Sequence, residues 1–156
     1  MKYIAHRGLF DGPDKDKENS PTQINQALIK GFDVEVDVWF VDNQWYLGHD
    51  SPTYKVEYSF LEDSRFWIHA KNLDALYVLG ADSKLNFFWH QEDNFTLTSK
   101  GYIWTYPDKP LTKNSICVLP EWNNDISKGY NPDCYGICSD FVSIITKTQF
   151  SDIYIS

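Results

Sequence analysis

All four histidines of the chain fall at or just after the end of a predicted strand, where α/β proteins place their functional groups. They are His6, His49, His69 and His90. One histidine in such a position is usually a hydrogen-bonded structural residue, but four in equivalent positions indicate a shared rim. Because the unperturbed pKa of histidine lies near neutrality, this rim could carry general acid–base chemistry.

Two carboxylates, Glu35 and Asp37, alternate with valines on the predicted strand 33–41. Residues i and i+2 of a strand point to the same face about 6 to 7 Å apart, so both carboxylates could reach one hard divalent cation. The other interpretation is a solvated acidic face on an edge strand. The apolar neighbours, together with His49 and Lys71 at nearby strand ends, favour the cation site.

Local patterns predict the elements that position these residues. Ser20 is a good N-cap and Pro21 a good first residue for a helix that Gly31 closes. Alternating apolar residues and turn signals predict the remaining elements. Strands are predicted at 2–5, 33–41, 44–48, 65–71, 85–89, 102–105, 115–119 and 135–138, and further helices at 72–79 and 141–155.

The composition limits the class of protein. The chain has 156 residues, of which 14 are Lys or Arg and 22 are Asp or Glu, so its formal net charge is −8. Without a basic surplus to displace counterions from phosphates, we expect no nucleic-acid partner. A hydrophobic fraction of 42% predicts a packed core, and we expect one domain over residues 1–156.

The expected compartment is the cytoplasm. No apolar run reaches the ~18 to 20 residues that cross a bilayer, so we expect no transmembrane segment, and the first residues lack the apolar stretch of a signal peptide. Cys117, Cys134 and Cys138 cannot all pair within one chain, and we expect them to be reduced thiols.

The order of the motifs resembles that of the glycerophosphodiester phosphodiesterase family and its relatives, the sphingomyelinase D-like phospholipases, within the phospholipase C-like phosphodiesterases. Over roughly the first third of the chain, the similar stretches are His6-Arg7-Gly8, Glu18-Asn19, Gly31-Phe32-Asp33, Glu35-Val36-Asp37-Val38 and Gly48-His49-Asp50. Later stretches similar to the family's strands are His69-Ala70-Lys71, Ile103-Trp104-Thr105 and Gly136-Ile137-Cys138-Ser139-Asp140.

The resemblance implies a hydrolase of lipid metabolism that cleaves a glycerophosphodiester or a similar small or lipid-like phosphodiester with a divalent metal. His6 and His49 stand at the positions of the family's general base and acid. Glu35 and Asp37 stand at two metal ligands, for Mg²⁺ or Ca²⁺. In the family, a neighbouring hydroxyl of the substrate is thought to attack phosphorus.

The resemblance also implies the substrate contacts. Arg7 and Lys71 would complete an anion clamp, and Glu18 and Asn19 would orient the substrate or the side chains that bind it. His90 is predicted independently, because it lies in the densest aromatic and polar cluster of the chain, which could stack on a sugar ring or head group. The alternative for His90 is a hydrogen-bonded residue at a strand end.

One position departs from the family's pattern. The third metal ligand of the family is an acidic residue two positions before the lysine, and His69 stands there. An imidazole can bind a metal, but it favours a softer ion such as Mn²⁺ or Zn²⁺ over Ca²⁺. Glu121 could supply the missing carboxylate instead, or it could be a solvated loop acid.

The fold class follows from the length and the resemblance together. An ordinary (β/α) barrel needs ~250 residues, yet the similar stretches run from the first barrel strand to the last. We therefore expect an α/β fold, a reduced TIM-type barrel with most outer helices missing, especially in the C-terminal half. Strands without covering helices would expose an aromatic flank, which could form a homo-oligomer.

Two other functions stay open at this point. The chain could be a non-catalytic ligand-binding module that keeps the scaffold without turnover, as His69 would permit. It could also be a carbohydrate-active or glycan-binding protein, because paired carboxylates and many tryptophans suit that chemistry. The glycan hypothesis accounts for the aromatic residues but leaves His6, Arg7, His49 and Lys71 unexplained.

Overall fold

Ten strands and three helices form the framework of the protein in a computed structural model that describes residues 1–151. The strands are β1 (Lys2–Ala5), β2 (Asp33–Val41), β3 (Gln44–Leu47), β4 (Tyr54–Val56), β5 (Phe66–Ala70), β6 (Phe87–Phe88), β7 (Phe95–Leu97), β8 (Ile103–Thr105), β9 (Ser115–Val118) and β10 (Gly136–Ser139). The helices are α1 (Pro21–Ile29), α2 (Leu73–Leu79) and α3 (Val142–Ser151).

The strands form one curled, half-barrel sheet. Its parallel strands follow the order β6-β5-β2-β1-β10-β9-β8, and antiparallel strands β3, β4 and β7 are added at its margins. The first half of β2 pairs with β1, and its second half pairs with β3. Strand β2 therefore continues past the end of β1 and carries the β2–β3 hairpin beyond the rim.

Helix α1 begins as the sequence predicts. The Ser20 hydroxyl accepts a hydrogen bond from the backbone N–H of Gln23 at 3.3 Å, and Pro21 occupies the first turn. Ile24 and Ala27 are fully buried under β2. The Gln23 side chain donates to the Gly8 carbonyl at 3.0 Å, which ties the helix to the segment that follows β1.

Two apolar layers lie on the two faces of the sheet. On the convex face, Val34, Val36 and Val38 are fully buried against α1 and α2. On the concave face, buried side chains from six parallel strands contact one another: Ile4, Trp67, Phe88, Trp104, Ile116, Val118 and Cys138. Each large apolar side chain buried in this way contributes about 1.5 to 3 kcal/mol to folding.

The prediction of a mixed α/β fold with few helices is confirmed, whereas a TIM-type barrel is not. In the described part of the chain, β6 and β8 at the two ends of the parallel run do not pair with each other. The segment after β7 lies beside β6, and the Ser99 backbone N–H donates to the Phe87 carbonyl at 2.8 Å. A chain segment, rather than a strand pair, thus adjoins the free edge of β6.

Some element boundaries differ from the sequence prediction. Strands β4 and β7 were not predicted, because each is three residues long and lies within a polar loop. The strand predicted at 85–89 is only two residues long. The helix predicted at 141–155 is present as α3, and its predicted residues 152–155 lie outside the described residues.

Several apolar side chains are exposed on the outside. They include Leu73 and Tyr77 on α2, and Phe95 and Leu97 on β7. The expectation that an exposed aromatic flank forms a homo-oligomer stays a prediction. Among residues 1–151, no helix combines the length and apolar character that a membrane crossing requires.

Candidate active site

One cavity of about 150 Å³ lies at the carboxyl ends of the parallel strands and collects most of the predicted residues. In (β/α) folds this rim is where catalytic groups are placed, because several strand ends meet there. The predicted residues that line it are His6, Arg7, Glu35, Asp37, His49, His69 and His90. Exposed Trp122 and Tyr106 lie at the same cavity, with their rings in edge contact.

A larger cavity of about 500 Å³ lies at the opposite ends of the strands. It is lined by residues at strand beginnings, among them Lys2, Asp33 and Phe66, and by no histidine from the described residues. We place the candidate site in the smaller cavity, because it holds the groups that can transfer protons and bind metals.

Glu35 and Asp37 lie side by side on β2 and are 2% and 1% exposed. One oxygen of each is anchored by the protein. Glu35 Oε2 accepts the backbone N–H of Arg7 at 3.0 Å. Asp37 Oδ2 accepts from Asn19 Nδ2 at 2.9 Å and lies 3.2 Å from His49 Nδ1. The second oxygens, Glu35 Oε1 and Asp37 Oδ1, face His69.

The two carboxyl groups differ in charge because their surroundings differ. Burial and the neighbouring charge of Asp37 raise the pKa of Glu35 above its ordinary value. Burial acts in the same direction on Asp37, but contacts with His49 and His69 outweigh it and hold the pKa of Asp37 well below its ordinary value. Asp37 therefore holds its negative charge more firmly than Glu35 does, and a cation bound to both carboxylates would favour the ionised form of Glu35 as well.

His69 completes a group that could bind a metal. Parallel pairing sets His69 on β5 opposite Asp37. Its Nδ1 lies 3.0 Å from Asp37 Oδ1 and 3.9 Å from Glu35 Oε1. One ligand atom from each of the three residues lies within 4.8 Å of the others. Asp37 Oδ1 is buried and accepts no hydrogen bond from any residue between 1 and 151, so the donor set fits a divalent cation.

Glu121, the other predicted metal ligand, lies apart from this group. Its two oxygens accept hydrogen bonds from the Ser139 hydroxyl at 2.9 Å and from the Asp140 backbone N–H at 3.0 Å. Burial raises the pKa of Glu121. Within the described residues, the group that could hold a metal consists of Glu35, Asp37 and His69. Glu121 therefore holds the end of β10 through both carboxylate oxygens, and its predicted role as a metal ligand stays a prediction.

The Arg7 guanidinium lies at the centre of the site. Its Nη1 donates to Glu18 Oε2 at 2.9 Å, its Nε lies 3.3 Å from Asp37 Oδ2, and its Nη2 lies 3.2 Å from His49 Nε2. Its backbone has a φ of 53°, which is unusual for a residue with a side chain. Strained backbone of this kind often occurs at functional sites, and here it turns the chain just after β1.

His49 is held in one tautomer by its two neighbours. A guanidinium can only donate, so the contact with Arg7 leaves a lone pair on His49 Nε2. The proton of a neutral ring then lies on Nδ1 and points to Asp37. Gly48 permits this placement, because its φ is 149° and a Cβ there would lie 2.1 Å from the Ser51 carbonyl oxygen.

His6 has a carboxylate partner that the sequence prediction missed. Its Nδ1 lies 2.8 Å from Oδ1 of Asp140, the residue directly after β10. Burial lowers the pKa of His6, but the Asp140 hydrogen bond and the Glu35 charge outweigh it and raise the pKa overall. Asp140 directly follows the last strand, as His6 directly follows the first. These matching strand-end positions are the feature of the sequence that could have indicated the contact.

The remaining predicted residues have different surroundings. Lys71 Nζ lies 3.6 Å from Asp37 Oδ1 and, with His90, lines an adjoining cavity of about 300 Å³. Asn19 is fully buried, and its Oδ1 accepts the Asp37 backbone N–H at 2.9 Å. Asn19 therefore positions Asp37, while its predicted contact with substrate stays a prediction. Burial and nearby His69 lower the pKa of His90.

Comparison of the chain with protein-family models, with curated proteins and with solved structures gives no match. The geometry and chemistry of the residues themselves are therefore the grounds for a functional proposal.

Proposed function

We propose that the protein is a metal-dependent phosphodiesterase that cleaves a glycerophosphodiester or a similar small or lipid-like phosphodiester. The observation that carries the proposal is the convergence of two histidines, a carboxylate pair and Arg7 in one cavity, with Lys71 in the adjoining one. This is the set of groups that a phosphodiester requires for proton transfer, metal binding and charge neutralisation. The resemblance to the glycerophosphodiester phosphodiesterases supports the same chemistry.

We propose further that the sheet is a reduced TIM-type barrel. The support is the order of its parallel strands, in which β1, β2, β5 and β6 follow one another on one side and β8, β9 and β10 lead back to β1 on the other. This is the order of strands around a (β/α) barrel. The outer helices are few, as a chain of 156 residues requires.

Glu35, Asp37 and His69 would hold the divalent cation; the ions of the family are Mg²⁺ and Ca²⁺, and His69 departs from the family's ligand set. When bound, the ion supplies a Lewis acid that polarises the phosphoryl oxygens and offsets the charge that develops on them. Arg7 in this cavity and Lys71 in the adjoining one add positive charge, so a locally cationic site exists in a chain of net charge −8. Glu18 and Asn19 fix the positions of Arg7 and Asp37.

The two histidines are suited to opposite proton transfers. His49 Nε2 accepts from Arg7 in this structure, and Asp37 orients the ring, so Nε2 can take a proton from the attacking hydroxyl once the substrate phosphate draws Arg7 away. His6 has a raised pKa and keeps Nε2 for the substrate, so it can give a proton to the leaving oxygen. One oxygen–phosphorus bond forms as the other breaks, and the proton balance is kept by the two rings.

The test is release of choline or ethanolamine from the corresponding glycerophosphodiester, measured after chelation and after return of the metal. We expect turnover to require the metal, and His6→Ala and His49→Ala each to lower kcat by about 10²- to 10⁴-fold. Asp133→Ala, at an exposed position, is the control and should retain wild-type activity.

The outcomes separate the three functions. Unchanged activity in both histidine variants would contradict the mechanism. Metal binding without turnover of any phosphodiester would favour the non-catalytic module. Binding on a glycan array without phosphodiesterase activity would favour the carbohydrate-active protein.

A further inference from the structure

We propose that His69 makes the metal centre selective for a transition ion, Mn²⁺ or Zn²⁺, over Ca²⁺ and Mg²⁺. This inference deepens the proposed function, since it concerns the ion of the same centre. It rests on the direction in which the imidazole of His69 presents its lone pair. It is tested by ion binding and spectroscopy, so it can fail or succeed independently of turnover.

The first step is the protonation of the His69 ring. Its Nε2 lies 3.1 Å from the backbone carbonyl oxygen of His90. A carbonyl oxygen only accepts, so Nε2 carries a proton and donates it. With that proton on Nε2, the neutral form of the ring has its lone pair on Nδ1, which is the form in which an imidazole binds a metal. Nδ1 faces the two carboxylates of β2.

The second step is what lies opposite this lone pair. Nδ1 is 3.0 Å from Asp37 Oδ1, yet that buried oxygen accepts no hydrogen bond from any described residue. Lys71 Nζ lies 3.6 Å from the same oxygen and offsets part of its charge without a hydrogen bond. Asp37 is 1% exposed, and a metal ion bound to both Nδ1 and Oδ1 would supply the partner that this oxygen lacks.

The spacing of the atoms suits such an ion. Ligands about 2.1 Å from one ion lie about 3.0 to 4.2 Å from each other, depending on the coordination angle. The separations from His69 Nδ1 to Asp37 Oδ1 and Glu35 Oε1 are 3.0 and 3.9 Å. Three protein ligands leave further coordination positions for the phosphoryl oxygens of a substrate.

The ring is also held as metal-binding histidines are held. Its distal nitrogen donates to a backbone carbonyl, which is the usual partner for the second nitrogen of a metal-bound imidazole. Its face stacks on Phe88, with centroids 5.1 Å apart and planes 8° from parallel. Rotation of the ring would lose both contacts, so Nδ1 stays directed at the carboxylates.

The chemistry of the donor set then selects the ion. Ca²⁺ and Mg²⁺ bind almost exclusively oxygen ligands, whereas imidazole suits Mn²⁺, Zn²⁺ and their neighbours in the first transition row. One nitrogen beside two carboxylates is therefore a better site for Mn²⁺ or Zn²⁺ than for Ca²⁺. Two observations support this conclusion: Asp37 Oδ1 accepts no hydrogen bond from the described residues, and His69 Nδ1 faces it.

The test measures affinities of the full chain, stripped with a chelator, for Zn²⁺, Mn²⁺ and Ca²⁺ by competition titration. Most protein sites bind Zn²⁺ more tightly than Ca²⁺. The informative quantity is therefore the change, between variants, in the ratio of the two affinities. We expect His69→Asp to lower the Zn²⁺-to-Ca²⁺ affinity ratio by about 10- to 100-fold. His90→Asn keeps the backbone carbonyl that orients His69 and should leave the ratio unchanged.

Pulsed electron paramagnetic resonance of the Mn²⁺-loaded wild type gives a second readout. We expect the signature of a directly bound ¹⁴N nucleus, retained in His90→Asn and absent in His69→Asp. Absence of that coupling in the wild type, or an unchanged affinity ratio in folded His69→Asp, would overturn the inference. If His69→Asp does not fold, the wild-type spectrum decides. Loss of turnover with nitrogen coupling intact would count against the phosphodiesterase alone.

Discussion

His6 Nδ1 lies 2.8 Å from Asp140 Oδ1, although the two residues are 134 positions apart in the chain. The contact joins the ends of β1 and β10, whose parallel register pairs Ala5 with Ser139 directly below it. Asp140 is itself fixed by Glu121, which accepts its backbone N–H. His6 is thus oriented by the carboxylate of a residue whose backbone is held in place.

We expect Asp140→Asn to destabilise the protein more at pH 6 than at pH 8.5. The pKa of His6 is raised in the folded state, so its contribution is fully present below the unfolded value of about 6.5 and is lost as pH rises through the folded value. Loss of a charge-assisted hydrogen bond costs about 1.5 to 3 kcal/mol. Urea unfolding across this pH range measures the effect.

Asp133→Asn provides the control for this pH dependence, since Asp133 is exposed and pairs only with exposed Lys113 among the described residues. It should shift the free energy of unfolding little at any pH. An Asp140→Asn variant whose unfolding free energy varies with pH as in the wild type would contradict the assignment.

Asn19→Ala should lower the free energy of unfolding by about 2 to 4 kcal/mol. The change leaves the buried Asp37 N–H without its acceptor, and at a φ of 59° it replaces Asn, which tolerates the left-handed region, with Ala, which tolerates it less well. Asn19→Gly loses the same hydrogen bonds but tolerates the positive φ, so it should be about 1 kcal/mol milder. If the two variants lower the free energy of unfolding equally, the positive φ at position 19 does not destabilise the Ala variant.

Gly48→Ala should lower the free energy of unfolding by more than about 3 kcal/mol and reduce activity through displaced His49. The new Cβ would lie 2.1 Å from the Ser51 carbonyl oxygen, which is backbone and cannot rotate away. Gly101→Ala is the matched control. Its φ is also positive, at 85°, but no described atom lies within 4 Å of the new Cβ. Similar losses in both variants would contradict the steric explanation.

Arg7→Lys should lower kcat/KM by about 10- to 100-fold despite keeping the charge. The guanidinium reaches Glu18, Asp37 and His49 at once, and one ammonium group cannot reproduce this geometry. Arg65→Lys, which changes a partly exposed pair with Asp63 outside the site, serves as the control. Steady-state kinetics at saturating metal measure kcat/KM of both variants. Equal kcat/KM values for Arg7→Lys and Arg65→Lys would contradict the role of Arg7 in the site.

The sequence predicts the local part of the site well. The period-two pattern of β2 placed Glu35 and Asp37 on one face, and that face is the buried one that His69 also meets. Strand-end positions indicated that the histidines share a rim. Both inferences depend on residues close in sequence and on the regular geometry of a strand.

Contacts between distant segments were not predictable in the same way. Nothing local to His6 indicates that Asp140 is its partner, because the pairing of β1 with β10 is a property of the whole sheet. The sequence predicts that Asn19 orients either the substrate or the side chains that bind it, and only the fold shows that it is buried against Asp37. Glu121 was a candidate metal ligand, yet its oxygens are used at the end of β10. In each case tertiary packing decides between chemically equivalent roles.

The position of β1 between β2 and β10 has a consequence for biosynthesis. Strand β1 leaves the ribosome with one edge unpaired, because its partner β10 is translated more than a hundred residues later. At about 5 to 20 residues per second, that interval lasts roughly 7 to 26 s. Unpaired edges invite association with other nascent chains, so this interval is when the polypeptide is most exposed to aggregation.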